Sequence, residues 1–288
     1  MCRGAAPSPH LSKHTGRGKR RPYDEKGYEL RILFVGDVVG KSGRAVLKRQ
    51  LFEILQDSAI DLCIANCENA AGGFGLTAEV GEEILATGVD VMTSGNHIWD
   101  KKEVFDYFRQ EPRLLRPANY VADLPGKGFI RVSSHSGVNL AIVNISGRAF
   151  LDNIDCPFQA IDRIVGALDD KPPIIVVDFH AEATAEKLAM AWYLDGRVSA
   201  LIGTHTHVQT ADERILPKGT AYITDVGMTG AFDGVIGFRA EDSIYRFKTG
   251  VSRSLQVAKE NKGINAVIVS IDETTGKATS IERYSATT

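Results

Sequence analysis

Cysteine is scarce in this chain of 288 residues, which contains four. Cys2 lies near the start, Cys63 and Cys67 lie four apart, and Cys156 lies in the middle of the chain. No second cysteine pair accompanies Cys63 and Cys67, so the spacing does not predict a structural zinc site. Few cysteines, together with the lack of an apolar secretory segment, indicate a reducing compartment, and we expect a cytoplasmic protein.

Long apolar runs are also missing. No stretch approaches the roughly 20 apolar residues of a membrane-spanning helix, so no membrane partner is expected. The formal net charge is −2, which gives no global attraction to nucleic acid, and no nucleic-acid partner is expected from it. The composition, 43% hydrophobic and 24% charged, excludes a wholly disordered, collagen-like or coiled-coil chain.

The near-neutral total hides an uneven distribution of charge. Residues 1–30 contain seven Lys or Arg against three Asp or Glu, which leaves a net −6 for residues 31–288. The first segment is rich in Gly, Pro and Ser and has no apolar periodicity. It therefore predicts a disordered basic tail over residues 1–29, with a nucleic-acid-binding arm as the alternative, followed by one folded domain over residues 30–288.

Short apolar runs alternate with helical patterns in the folded part. Residues 32–35 are typical of a buried strand, and the helix that follows has an apolar stripe that includes Leu47, Leu51 and Ile54. Further strands are predicted over 62–65, 90–93, 128–133, 138–145, 174–177, 200–202, 221–224, 254–258, 264–271 and 279–284, and further helices over 78–86, 158–168 and 185–194. This alternation predicts an α/β protein with a mixed or parallel sheet covered by helices.

Side chains with metal-binding chemistry follow successive predicted strands, where open α/β sheets place their sites. In chain order they are Asp37, Glu68, Asn69, Asn96, His180, His205 and His207, with His97 next to Asn96. Carboxylate, carboxamide and imidazole without thiolate suit iron, manganese or zinc. These seven candidate ligands, without His97, are too many for one tetrahedral ion but are sufficient for two ions that share a bridging ligand.

The order of these residues resembles the motif order of the calcineurin-like metallophosphoesterases. Gly95-Asn96-His97 and the stretch 203–207, Gly-Thr-His-Thr-His, match two of their signatures as they stand. The chain departs from the general pattern at Val39, where the first motif has histidine, and at Glu68, which replaces aspartate and is followed by Asn69. These departures, with the longer strings 31–40, 95–102, 116–119, 178–184 and 203–212, resemble the YmdB-like bacterial metallophosphoesterases over about residues 31–285.

The resemblance implies a four-layer αββα sandwich of two mixed sheets and a metal-dependent phosphoric diester hydrolase. It also implies a centre of two iron or two manganese ions, with zinc as a further candidate, and a homo-oligomer, either a dimer or a tetramer. The implied substrates are 2′,3′-cyclic nucleotides and other phosphodiesters. Family chains typically begin with Met where Leu30 stands here, so the tail is either a start-site artefact or an appended segment.

The resemblance further assigns a role to each candidate residue. Asp37, Glu68, Asn69 and His207 would hold one metal, and Glu68, Asn96, His180 and His205 would hold the other, with Glu68 as the bridge. His97 aligns with the proton donor of the family. The mechanism expected from this assignment is in-line attack of metal-bound hydroxide on phosphorus, while His97 protonates the departing ribose oxygen.

Three other functions compete with this interpretation. The first is a P-loop NTPase, because the stretch 36–42 resembles a phosphate-binding P-loop. However, three residues rather than four separate the glycines of this stretch. A phosphomonoesterase could use the same two metals, because metals bind the phosphoryl group and not its substituents. The protein could also be a regulator whose turnover is incidental.

Several neighbours of the candidate ligands also have two interpretations. Asp100 and Asp178 either orient a histidine or cap a loop. Glu182 is interpreted as a carboxylate in the first turn of a helix. Phe74 either packs or stacks on a base, and Arg148 is either solvated or contacts phosphate.

Overall fold

Strands and helices alternate along the chain, as predicted, in the computed structural model, which describes residues 29–168 and 174–288. The strands are β1 Glu29–Val35, β2 Asp37–Val38, β3 Leu62–Asn66, β4 Val91–Thr93, β5 Phe129–Ser133, β6 Asn139–Ser146, β7 Ile175–His180, β8 Ala200–Thr204, β9 Arg214–Ile215, β10 Ala221–Ile223, β11 Met228–Ala231, β12 Lys262–Asp272 and β13 Ala278–Thr287. The helices are α1 Gly40–Asp57, α2 Ala78–Leu85, α3 Val104–Gln110, α4 Pro157–Ala167, α5 Thr184–Leu194 and α6 Ala240–Thr249, with a short 3₁₀ helix over Asn96–Asp100. The predicted tail lies outside the described residues except for Glu29, where β1 begins.

The strands form two mixed sheets. The first has the order β2-β11-β12-β1-β3-β4, with β13 also paired to β12, and the second has the order β5-β6-β7-β8-β10-β9. Strands β1, β3 and β4 run parallel in the first sheet, and β6, β7 and β8 run parallel in the second. The parallel strands of each sheet therefore end at one common edge.

Three apolar layers hold the sheets and helices together. Along β1, Ile32 and Phe34 face the second sheet, whereas Leu33 and Val35 face the helices that cover the first sheet. This follows from the two-residue period of a strand, which sends alternate side chains to opposite faces. On the far side, α4 and α5 pack against the outer face of the second sheet. The resulting helix-sheet-sheet-helix arrangement confirms the predicted αββα sandwich.

The strand predicted over residues 254–258 is wrong. This segment is irregular apart from a single bridge between Val257 and Phe238. Its apolar side chains suggested a strand, but its backbone is held by isolated bonds, such as that from Arg239 N–H to the Gln256 carbonyl at 2.8 Å. The sequence patterns also did not predict α3, α6 or β11. Most of the large apolar side chains on α6, such as Phe247, are exposed, so α6 lacks the buried stripe that predicts a helix.

None of the helices in residues 29–168 and 174–288 is both long enough and apolar enough to cross a bilayer.

Candidate metal centre

The candidate site lies at the common edge where the parallel strands of both sheets end. The first sheet supplies Asp37, Glu68, Asn69 and Asn96, and the second supplies His180, His205 and His207. Contacts between these side chains, described below, connect all seven predicted ligands. A site built this way depends on the packing of the two sheets against each other, because neither sheet carries all the ligands.

One group of ligand atoms surrounds the ring of His180. Its Nε2 lies 3.1 Å from Glu68 Oε1, 3.1 Å from Asn96 Oδ1 and 2.9 Å from His205 Nδ1. Potential ligand atoms of Glu68, His180 and His205 all lie within 4.8 Å of one another, and both Glu68 and His180 are fully buried. Three possible metal-ligating atoms thus lie within 3.1 Å of one imidazole nitrogen. Four such atoms this close together can surround a cation.

A second group lies on the other side of Glu68. Asn69 Nδ2 is 3.1 Å from Glu68 Oε1 and 3.2 Å from His207 Nε2, which in turn is 3.6 Å from Asp37 Oδ1. Asp37 Oδ1 and Asn69 Oδ1 are buried and accept no hydrogen bond from the described residues. Unpaired buried oxygens are costly, and a metal ion would satisfy both. The residues present therefore fit a metal centre, and Glu68 Oε1 belongs to both groups.

The electrostatics of the site keep its carboxylates charged. Burial opposes ionisation of Asp37, yet the neighbouring His207 imidazole holds the pKa of this carboxyl well below its usual value. The pKa of Glu68 is likewise lowered, against burial, by His180. Burial opposes protonation of His180, but the neighbouring Glu68 raises the pKa of His180 to about 9. Burial together with the neighbouring His180 lowers the pKa of His205 to about 3. The carboxylates are therefore in the form that binds metals.

Each histidine is oriented through its second ring nitrogen. His180 Nδ1 lies 2.9 Å from Thr204 Oγ1, and that hydroxyl donates to Asp178 Oδ1 at 2.7 Å. Since the hydroxyl proton is committed to Asp178, the ring donates through Nδ1, and Nε2 faces the other candidate ligand atoms. His207 donates from Nδ1 to the Ile236 carbonyl at 3.0 Å. Asp178, whose pKa is raised to about 7 by burial, thus acts on His180 through Thr204.

His205 is oriented in the opposite sense by Glu182. Its Nε2 lies 3.1 Å from Glu182 Oε2, so Nδ1 faces His180. The interpretation of Glu182 as a first-turn helix residue is wrong, since α5 begins at Thr184 and the carboxylate contacts a predicted ligand. Sequence spacing does not reveal this contact, because it joins two loops that follow different strands.

A fully buried ion pair supports the loop that carries His205 and His207, and the sequence did not predict it. Lys187 Nζ donates to Asp225 Oδ2 at 2.8 Å and to the Thr204 carbonyl at 2.7 Å. Both histidines have left-handed backbone, with φ of 101° and 65°, which is unfavourable for residues other than glycine. Asp225 follows β10 at the same sheet edge. The expectation that functional side chains follow the ends of strands could therefore have identified it.

His97 lies at the rim of the centre. Its backbone N–H donates to Glu68 Oε2 at 2.8 Å, and its ring Nδ1 is 2.9 Å from Asp100 Oδ2, which leaves Nε2 available. One third of its side chain is exposed, so substrate can reach it. The Phe74 ring packs edge-on against His97 at 5.1 Å and stacks on Phe238 at 5.0 Å. Asp100 therefore orients this histidine.

Arg148 stays outside this arrangement. Its side chain is exposed, and its backbone N–H donates to the Glu186 carboxylate. A contact between Arg148 and phosphate stays a prediction.

We predict that Gly95→Ala removes metal from the site. A Cβ at this position would lie 2.1 Å from His180 Nε2, so the imidazole must move away from Glu68 and Asn96. We expect at least half of the bound metal to be lost and the free energy of unfolding to fall by about 1–3 kcal/mol. Elemental analysis and thermal unfolding measure the two effects.

The matched control is Gly166→Ala on α4, where a Cβ would meet nothing within 4 Å. It should retain the metal and be as stable as the parent protein or slightly more stable. Full metal content and normal turnover in Gly95→Ala would contradict the placement of His180 in the site.

Comparison with known proteins places these features in a class. A solved structure described as a novel phosphatase from Mycoplasma pneumoniae superposes with a TM-score of 0.84 at 34% identity and covers 91% of this chain and 94% of its own. A hypothetical protein from Thermus thermophilus gives the same TM-score at 41% identity and covers 90% and 99%. The fold and the site together define a metallophosphoesterase.

The family follows from the sequence match. The model described as YmdB-like protein matches residues 33–284. The 2′,3′-cyclic-nucleotide 2′-phosphodiesterase of Bacillus subtilis (strain 168) is 49% identical over 254 residues, which cover 88% of this chain and 96% of that protein. The chain belongs to the YmdB-like family. The predicted family and the predicted class, a phosphoric diester hydrolase, are confirmed.

Proposed function

We propose that this protein is a phosphodiesterase with two metal ions that hydrolyses 2′,3′-cyclic nucleotides and related phosphodiesters. The observation that carries the proposal is the position of Glu68 Oε1, which contacts His180 on one side and Asn69 on the other. A carboxylate between two ligand groups is what a bridged pair of metals requires. The name of the Bacillus subtilis relative, at 49% identity, supports the substrate class.

In this proposal the two ligand groups hold one metal each and share Glu68. The first comprises Asp37, Asn69 and His207, and the second comprises Asn96, His180 and His205. Nitrogen and oxygen donors without thiolate suit iron, manganese and zinc, and we propose iron first, with manganese or zinc as alternatives. Bound metals would supply positive charge for the phosphoryl oxygens and an activated water nucleophile.

The chain's own groups complete the reaction. His97 Nε2 donates a proton to the ribose 2′ oxygen as the bond from that oxygen to phosphorus breaks, and a 3′-phosphate ester is formed. Asp100 accepts a hydrogen bond from Nδ1 and fixes the plane of the ring. Glu68 Oε2 accepts a hydrogen bond from the His97 backbone N–H, which fixes the position of the proton donor relative to the bridging carboxylate.

A second candidate function is hydrolysis of phosphate monoesters on the same site. The description of the Mycoplasma pneumoniae relative as a phosphatase favours it. Monoesters and diesters both present nonbridging oxygens to the metals, so the site alone does not discriminate between them. The regulator alternative differs from both, because it predicts that inactive variants keep their biological effect.

A substrate panel tests the choice. We expect kcat/KM for adenosine 2′,3′-cyclic phosphate to exceed that for adenosine 3′,5′-cyclic phosphate, a linear dinucleotide and an aryl phosphate monoester by at least tenfold. Strain in the five-membered cyclic phosphate favours its cleavage, and His97 supplies the proton to the ribose oxygen that leaves, whereas the other substrates have no such strain. A higher kcat/KM for the monoester would favour the phosphatase candidate instead.

Location and assembly complete the proposal. We expect a cytoplasmic homo-oligomer, either a dimer or a tetramer. Light scattering of the purified protein gives its assembled mass directly.

A further inference from the structure

A basic pocket adjoins the candidate metal centre. It has a volume of about 550 Å³ and is lined by Phe74 and by four cationic side chains, Lys41, Arg246, Arg253 and Lys259. Among the described residues that line it, none is acidic. Its volume falls within the range of roughly 300–1,000 Å³ found for small-molecule sites. The pocket can therefore accommodate an anionic group together with part of the molecule that carries it.

The pocket is physically connected to the metal centre. Phe74, in its wall, packs 5.1 Å from the His97 ring. Lys41 follows Gly40, whose backbone N–H donates to the Asn69 carbonyl at 2.9 Å, and Gly73 donates to the same carbonyl at 3.2 Å. A ligand in the pocket is thus separated from the proton donor by one aromatic ring.

The floor of the pocket is fixed by close packing. Val257 lies against Gly40 and Gly73, where a Cβ would come within 2.9 Å and 3.0 Å of Val257 Cγ2. The Ser42 hydroxyl donates to the Ala258 carbonyl at 2.7 Å in a buried bond. The irregular segment that carries Lys259 is therefore anchored to the start of α1, and the cations project from a defined surface.

Most of the cationic side chains in this pocket have no ion-pair partner within the part of the chain that the structure describes. Lys41, Arg246 and Lys259 form no ion pair with any described residue, whereas Arg253 contacts Asp242 at 3.1 Å. A chain of net charge −2 thus concentrates unpaired cations beside its catalytic edge. Guanidinium and ammonium groups grouped in this way bind phosphate.

We propose that this pocket binds the phosphate that precedes the terminal nucleotide of an RNA fragment, so that the protein acts on oligoribonucleotides ending in a 2′,3′-cyclic phosphate. The inference rests on the proposed function of the metal centre. The cyclic phosphate occupies the metal centre, and the preceding phosphate, one nucleoside away, lies among Lys41, Arg246 and Lys259. Phe74 lies between the two positions, where aromatic rings commonly contact the bases of single strands.

The reaction is the same for the longer substrate. Water adds to phosphorus, the bond from phosphorus to the 2′ oxygen breaks, and that oxygen takes the proton. The product is an oligoribonucleotide with a 3′-phosphate. The expectation of no nucleic-acid partner came from the total charge, which does not reveal where the cations are grouped.

Three substrates test the inference on the unmodified protein. They are adenosine 2′,3′-cyclic phosphate, the dinucleotide ApA with a terminal 2′,3′-cyclic phosphate, and the same dinucleotide with a neutral methylphosphonate linkage. We expect kcat/KM for the charged dinucleotide to exceed that for the neutral one by about tenfold or more. Because the effect is electrostatic, the ratio should fall as salt rises from roughly 50 to 500 mM.

Charge reversal then locates the effect. Lys41→Glu combined with Arg246→Glu should bring the charged-to-neutral ratio to one or below. The control Arg163→Glu, on α4 and 63% exposed, should leave the ratio unchanged. A ratio of one in the unmodified protein, with adenosine 2′,3′-cyclic phosphate still turned over, would overturn the inference alone. Turnover of none of the three substrates would overturn the proposed function, and the inference with it.

Discussion

His97→Gln is expected to keep both metals and to lose roughly 10²–10⁴-fold in turnover of 2′,3′-cyclic nucleotides, the usual contribution of a positioned general acid. The side chain is partly exposed and contacts Asp100 and Phe74, so its removal leaves the buried ligand groups intact. Its link to Glu68 runs through the backbone N–H, which glutamine retains. Steady-state kinetics and elemental analysis on the same preparation measure both quantities.

The choice of leaving group makes this test specific for proton donation. An aryl phosphodiester has a leaving group that departs without a proton, so His97→Gln should lose much less activity on that substrate than on the cyclic nucleotide. His135→Gln is a matched control, because His135 is exposed and lies away from the site. Its ring contacts Asp90 at 3.0 Å. Equal losses on both substrates, or loss of metal in His97→Gln, would count against the donor role.

Glu68→Gln is expected to lose metal from both positions and to abolish turnover. Glutamine has nearly the shape of glutamate but lacks the negative charge shared by two cations, and its amide NH₂ cannot accept the hydrogen bond that Glu68 Oε2 accepts from the His97 backbone N–H. Removing residues that merely orient ligands typically costs about 10–100-fold in metal affinity, so removal of the bridging ligand should cost more than that. Metal dissociation constants and residual activity with excess metal provide the measurement.

Glu182→Gln is the matched comparison. Glu182 contacts His205 Nε2 from outside the proposed ligand set. We therefore expect it to lose metal affinity by about 10–100-fold and to recover activity when metal is added in excess. Should Glu68→Gln bind two metals as tightly as the parent protein, the bridge assignment would be wrong.

The sequence predicted the location of the candidate ligands because strand ends obey a simple geometric rule. Asp37, Glu68 and His180 each end or follow a buried apolar strand, and parallel strands bring such positions to one edge. The pairing of those strands into two facing sheets was not visible in the periodicity. It came from the resemblance to a family, since local patterns carry no information about which sheet a strand joins.

The residues that support the site were harder to predict. Glu182, Lys187 and Asp225 act across elements that are distant in the chain, through contacts set by tertiary packing. Lys187 also occupies a buried face of α5, where the helical pattern predicts an apolar residue. The segment 254–258 has the composition of a strand but packs through Val257 against glycines. Each of these cases shows tertiary context overriding a local pattern.

Titration of metal-free enzyme with iron or manganese tests the central claim most directly. Turnover of adenosine 2′,3′-cyclic phosphate, measured without oxygen as metal is added, should rise to a plateau at two equivalents per chain. This result is expected because Glu68 Oε1 lies between two ligand groups, each of which requires its own ion. A plateau at one equivalent, or no activity at any metal content, would contradict a centre of two metals bridged by Glu68.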